Sequence, residues 1–124
     1  MIDHVSIAVR DLEAATRFYD AVLATLGYAR LVERPDTVGY GKRYPEFWLN
    51  QRKQMLPPPS GAHVCLRAPG TAAVDAFHAA ALAAGGVSDG APGLRPEYSE
   101  RYYAAFIADP DGNRIEAVAF VAPD

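Results

Sequence analysis

Hydrophobic and polar positions alternate over residues 3–9. His4, Ser6 and Ala8 fall on one face, and Val5, Ile7 and Val9 fall on the other. A period of two predicts a strand buried on one side. Asp11 then stands where an N-cap is needed, with Glu13 in the first turn, where the helix dipole favours a carboxylate. Leu12, Ala15, Phe18, Tyr19, Val22, Leu23 and Leu26 recur at helical spacing until Gly27 stops the run. The alternation returns at 63–67, with His63, Cys65 and Arg67 opposite Val64 and Leu66. Val74, Phe77, Ala81 and Leu82 mark a second helix, closed by Gly85-Gly86. Strands are expected at 28–34, 37–40 and 46–51 in the first half, and at 102–108 and 113–121 in the second. Asp109-Pro110-Asp111-Gly112-Asn113 between the last two has the composition of a hairpin turn. Val87-Ser88 gives only a weak strand signal. Residues 89–100, rich in Gly, Pro and polar groups, are expected to be a loop that lies over a substrate.

The two halves resemble each other. Displaced by 59 positions, His4-Val5 falls on His63-Val64, Phe18 on Phe77, Leu23 on Leu82 and Gly27 on Gly86, with Ala14, Ala21 and Ala24 also matched. Pro57-Pro58-Pro59-Ser60-Gly61 cannot continue a helix or a central strand, so 57–61 reads as a linker between a first module (1–56) and a second (62–124). The pattern of strand, helix and three strands, repeated, predicts an α+β fold of two βαβββ modules within one domain. Their mostly antiparallel sheets would form a cup.

Composition narrows the functional classes. With 12 basic and 15 acidic residues in 124, the net charge is −3, which argues against a nucleic-acid partner. No apolar run approaches the ~20 residues of a spanning helix, so no membrane partner is expected. The start lacks the basic-then-apolar pattern of a secretion signal, and the single cysteine, Cys65, cannot form an internal disulfide. A reducing, cytoplasmic setting is the expectation.

Three metal-capable side chains sit at strand positions. His4 and His63 are equivalent in the repeat and point away from the apolar faces of their strands. Glu116 lies in the last strand between Ile115 and Ala117, where a carboxylate is costly unless paired or bound, and Arg114 is one possible partner. If the two sheets curve into one open barrel, His4, His63 and Glu116 converge. Two imidazoles and one carboxylate leave open positions on a divalent ion, as in catalytic Zn, Ni, Mn or Fe(II) sites.

The stretches His4-Val-Ser-Ile-Ala-Val-Arg-Asp-Leu, Phe18-Tyr19 with Leu26-Gly27-Tyr28, and Tyr103-Ala-Ala-Phe-Ile-Ala-Asp-Pro-Asp-Gly-Asn-Arg-Ile-Glu116 resemble the vicinal oxygen chelate superfamily. That superfamily includes glyoxalase I, bleomycin-resistance proteins, extradiol dioxygenases and fosfomycin thiol transferases. The resemblance implies paired βαβββ modules cupping one divalent ion. It places the ligands at His4, His63 and Glu116, with Glu116 also the catalytic carboxylate. It implies lyase, isomerase or dioxygenase chemistry on a small substrate that chelates through vicinal oxygens, and a homodimer. Glyoxalase I carries a second Glu where this chain has Trp48; Asn50 shares that face. Ser6, Trp48, Asn50, Arg67 and Tyr102 are the expected substrate contacts. Arg67 is read either as the holder of an anionic substrate group or as half of a structural ion pair, and Tyr102 is preferred over Tyr103 on strand parity. Two other readings stand beside the enzyme: a metal-free binding or resistance protein, and an interaction domain with a vestigial cup.

Overall fold

The computed structural model describes residues 1–122. The first module contains β1 (Val5–Val9), α1 (Leu12–Ala24), β2 (Ala29–Arg34), β3 (Thr37–Gly41) and β4 (Phe47–Gln51). The second contains β5 (Val64–Arg67), α2 (Thr71–Ala83), β6 (Val87–Leu94), β7 (Tyr102–Ala108) and β8 (Arg114–Phe120). Each module builds a four-stranded sheet of the same topology, β1-β4-β3-β2 and β5-β8-β7-β6. In each, the first strand pairs in parallel with the last, and the remaining pairs are antiparallel. The α+β fold of two βαβββ units is therefore present. No helix is long and apolar enough to cross a membrane.

Strand register makes the duplication quantitative. Ser6 lies opposite Trp48, and Cys65 lies opposite Glu116. Ser6 and Cys65 are 59 residues apart, and Trp48 and Glu116 are 68 apart. The longer offset holds the extra residues of the second module's β6–β7 region, so Trp48 occupies in one sheet the place that Glu116 occupies in the other.

Local chemistry explains the elements. The Asp11 carboxylate accepts a hydrogen bond from the Ala14 amide at 3.2 Å and caps α1. Gly27 ends the turn after α1 at φ +85°, a conformation that a side chain disfavours. Val9, Val38, Tyr40, Phe47 and Leu49 bury their side chains against α1, and Val5 and Ile7 pack beside them. Leu66, Ala105, Ile107 and Ile115 do the same for α2, through Val74, Phe77 and Ala81. Leu82, expected on the buried stripe of α2, is exposed, because Phe77 and Ala81 already fill the contact.

One element departs from expectation. Residues 87–94 form a full strand rather than Val87-Ser88 followed by a loop. Its pairing with β7 slips at Gly90 and at Gly93. A Cβ on Gly90 would lie 2.9 Å from Phe106 Cδ1, so glycine is what lets the bulged edge strand ride over that ring. The Gly- and Pro-rich composition that suggests a loop is the composition of an irregular edge.

The modules join through α1 packed against α2 and through the 109–113 turn. Asn113 Nδ2 donates to the Ala8 carbonyl at 2.8 Å, Tyr19 Oη donates to Asp109 Oδ2 at 2.7 Å, and Arg10 Nη1 donates to Asp111 Oδ1 at 2.9 Å. Helices cover one face of each sheet, and the opposite face of each is open.

Candidate metal and substrate site

Strand parity sends two sets of side chains to the open faces. On the second sheet these are His63, Cys65 and Arg67 from β5 and its approach, Arg114, Glu116, Val118 and Phe120 from β8, and Tyr102, Ala104 and Phe106 from β7. On the first they are His4, Ser6, Ala8, Trp48 and Asn50.

The second sheet carries the tightest polar cluster. Glu116 is only 2% exposed. Its Oε1 lies 3.1 Å from His63 Nε2, and its Oε2 accepts from the Tyr102 hydroxyl. Cys65 Sγ is 3.9 Å from the same hydroxyl. Burial, reinforced by the bond to Glu116, holds the Tyr102 hydroxyl well above its ordinary pKa, so it stays a donor. Burial, then the charge of Glu116, pushes the Cys65 thiol up to about 12. A thiol so raised is a poor nucleophile at neutral pH. Arg114, a possible partner of Glu116, turns instead to Asp89 at 2.8 Å.

Other expected contacts are dispersed. Ser6 and His63, one from each module, line a cavity of about 490 Å3 together with Ala8, Met55, Pro58 and Arg114. Asn50 Oδ1 accepts from Thr37 Oγ1 at 2.6 Å. The Trp48 ring lies over Gly39, where a Cβ would meet Cζ3 at 2.9 Å, and the Arg34 guanidinium sits 5.7 Å from that ring's centre. Arg67 makes no ion pair with any described residue; its guanidinium lies 4.5 Å from the centre of the Phe120 ring. Tyr103, the alternative to Tyr102, faces α2 and donates to Asp75. His78, on α2, is bonded to Ser88 and stands apart from the site.

The convergence of all three expected ligands does not occur within one chain. His4 is exposed and bonds through Nδ1 to Asp3 Oδ1 at 2.7 Å, while Tyr44 holds the same carboxylate. Among the described residues, no three His, Cys, Asp or Glu side chains gather closely enough to hold an ion. The reason lies in how the modules join: α1 packs on α2, the 109–113 turn bridges the modules, and the cavity that the two open faces share is lined by Ser6, Ala8, His63 and Arg114 but not by His4. The donor chemistry of His63 and Glu116 fits a divalent cation, but it supplies only two ligands.

Two site neighbours escape a reading of the sequence. Phe120 shares parity with Glu116 and could have been found by counting two steps twice along β8. Arg95, whose guanidinium lies 5.4 Å from the Phe106 ring centre, had no signal because its segment read as a loop.

The family model for glyoxalases, described as the Glyoxalase/Bleomycin resistance protein/Dioxygenase superfamily, matches residues 1–117. The chain belongs to that superfamily. A crystal structure of a glyoxalase/bleomycin resistance protein from Albidiferax ferrireducens T118 is 34% identical, with a TM-score of 0.84. The match covers 94% of this chain and 95% of that one. A glyoxalase/bleomycin resistance protein/dioxygenase family enzyme from Burkholderia phytofirmans PsJN is 21% identical over 97% of this chain and 98% of its own, with a TM-score of 0.73. The fosfomycin resistance protein FosX from Mesorhizobium loti is 17% identical over 98% and 92%, with a TM-score of 0.72. The last two likenesses show the fold alone. No curated protein matches the chain. Strand register puts Trp48 of the first sheet at the place that Glu116 holds in the second.

Proposed function

We propose that the protein is a metal-dependent enzyme of the glyoxalase superfamily, with its site shared between two copies of the chain. His63 and Glu116 of one copy and His4 of the other would hold one Zn, Ni, Mn or Fe(II) ion. The observation that carries this reading is Glu116: a buried carboxylate on an open sheet face, 3.1 Å from an exposed imidazole. The open faces, with Trp48, Phe106 and Phe120 on them, are what a second copy would cover. A divalent ion bound there would lend Lewis-acid charge to two neighbouring oxygens of a small substrate. Tyr102 holds its proton at Glu116 Oε2 and fixes that carboxylate's rotamer. Phe106 lines a hollow beside His63, Ser6 shares the larger cavity with that imidazole, and Trp48 would wall the site from the first sheet. With Trp48 in place of a second carboxylate, Glu116 is the acid–base group on the open faces, so lyase, isomerase or dioxygenase chemistry would depend on it.

The second reading is a metal-free binding protein. It is favoured by one observation: Glu116 is already satisfied by Tyr102 and His63, and no buried side-chain polar atom among the described residues lacks a partner. Metal content per chain and sedimentation separate the two. The enzyme reading predicts about one ion per chain, a dimer, and loss of the ion in His4→Ala, His63→Ala and Glu116→Gln. Co-expression of His4→Ala with His63→Ala should restore metal to the mixed dimer, because one of its two sites then keeps all three ligands. Wild-type protein that binds no ion after soaking with each metal would overturn the enzyme reading and leave the binding protein.

A further inference from the structure

Four arginines approach the open faces, and three are spoken for or set aside. Arg114 is paired with Asp89 at 2.8 Å. Arg95 donates to the carbonyls of Ala91 and Gly93 at 2.7 and 2.9 Å. Arg34 lies over Trp48 on the other sheet, the looser of the stacks at 5.7 Å. Arg67 alone combines a face shared with Glu116, no carboxylate among the described residues, and a guanidinium parked 4.5 Å from an aromatic ring centre.

Its placement is fixed by the strands. Cys65 is level with Glu116, and Arg67 stands two residues further along β5, level with Val118. Two strand residues span about 7 Å. The ground between is apolar: Cys65, Val118 and Ala104 on adjacent strands, with Phe120 and Tyr102 edge to face beyond them. A guanidinium stacked on a ring has lost rotamer freedom while its fork of donors remains free for an oxyanion. An ion pair formed over such a floor is less screened than one in open water.

We infer that Arg67 is the specificity determinant for an anionic substrate. The ligand class is a small organic oxyanion, a carboxylate or phosphonate joined through a short apolar spacer to the end that meets His63 and Glu116. This rests on the proposed function for where the reacting oxygens sit, and on Arg67 alone for the charge. The stack on Phe120 also assigns Phe120 a positioning role, because it holds the fork above the sheet.

The test is calorimetric titration at fixed ionic strength with 3-(3,4-dihydroxyphenyl)propionate, 2-(3,4-dihydroxyphenyl)ethylphosphonate and the neutral 3-(3,4-dihydroxyphenyl)propanamide, whose vicinal hydroxyls suit the His63–Glu116 end, alongside metal content of the same preparations. The wild type should bind at least one oxyanion roughly tenfold more tightly than the amide, a single-contact effect. Arg67→Gln should erase that preference to within about twofold while keeping metal content, fold and oligomeric state; Arg67→Lys should keep part of it. Phe120→Leu should weaken the preference without removing it. Arg17→Gln, a charge control on α1, should leave it unchanged. The more tightly bound oxyanion names the headgroup. Equal binding of acid and amide, no binding of either oxyanion, or a preference that survives Arg67→Gln overturns the inference. A dimer broken by Arg67→Gln with the preference intact also overturns it, because the guanidinium then serves the contact between copies. Anion preference in protein that takes up no metal sinks the enzyme reading and leaves Arg67 as a binding determinant.

Discussion

The join between the modules depends on one buried carboxylate, and removing a single hydroxyl tests it. Tyr19 is fully buried and Asp109 is 4% exposed. Asp109 Oδ1 accepts from the amides of Asp111 and Asn113 at 2.9 and 2.8 Å. Its Oδ2 accepts from Tyr19 Oη at 2.7 Å and Asn113 Nδ2 at 3.0 Å. Tyr19→Phe keeps the ring, its edge-to-face contact with Phe18 and its packing on Phe47, and deletes one donor to Oδ2. A hydrogen bond to a charged group contributes about 1.5–3 kcal/mol, so the variant should lose about that much. For a domain of this size the loss corresponds to a Tm lower by roughly 5–15 °C. Burial raises the Asp109 pKa above its ordinary value, with the bonds from Tyr19 and Asn113 opposing the rise. For a carboxyl raised in the fold, the native state prefers the protonated form. Stability is therefore lost as pH climbs from the unfolded value through the folded one. Deleting Tyr19 Oη raises the folded value further, so the variant's deficit should be larger at pH 7 than at pH 4. Urea unfolding followed by circular dichroism at both pH values reads it, as a lower midpoint with an unchanged slope. A deficit under about 0.5 kcal/mol at pH 7, or one equal at the two pH values, would refute an ionised Asp109 as the acceptor. Asp109→Asn supplies the double-mutant cycle: in that background Tyr19→Phe should cost only the ~1 kcal/mol of a neutral bond.

Two further outcomes follow from the site. Gly39→Ala places a Cβ 2.9 Å from Trp48 Cζ3 and 3.0 Å from Pro45 Cβ. The indole must therefore move, at a cost of about 1–3 kcal/mol, and the emission of the chain's single Trp should shift; unchanged emission and stability would refute the contact. Cys65, its thiol pushed up to about 12, should react with a disulfide reagent at pH 8 roughly 30–100-fold more slowly than a free thiol, the lost thiolate fraction being partly offset by the greater nucleophilicity of a more basic thiolate, and a rate within about threefold of glutathione would refute that environment.

Periodicity made most of the fold legible because each module buries only one face of each element. The alternation His4/Ser6/Ala8 against Val5/Ile7/Val9 needs no tertiary knowledge to sort inside from outside, and β7 runs over the very residues expected, 102–108. Parity also separated Tyr102 from Tyr103, which turn to opposite faces. What failed was periodicity at a bulge. In β6 each slip at Gly90 and Gly93 breaks the period of two, so a paired strand reads as a loop and Arg95 beyond it goes unnoticed. His4 illustrates a different limit. Sequence symmetry says that it matches His63, but symmetry within a chain does not say which chain's second sheet it faces. That depends on the α1–α2 contact, which no local pattern encodes.

In the duplicated scaffold one module has a carboxylate where the other holds an indole. In the first sheet the cross-strand pair on the open face is Trp48 with Gly39; at the same register in the second it is Glu116 with Phe106. Bulk has exchanged strands: ring on the last strand and glycine opposite, against carboxylate on the last strand and ring opposite. The glycine makes room for the indole, since a Cβ at position 39 would approach Trp48 Cζ3 to 2.9 Å. Replacing Trp48 by Glu alone would therefore open a void over Gly39 and leave a carboxylate without the aromatic wall that Phe106 gives Glu116. A working second carboxylate requires both positions to change together. The two sheets have thus diverged into unlike roles. In the proposed site the second sheet would supply Glu116, His63 and Arg67, and the first would supply Trp48, Ser6 and His4. Under the proposed function, a complete site would form where the second sheet of one chain meets the first sheet of another, bringing His4 to the His63–Glu116 pair.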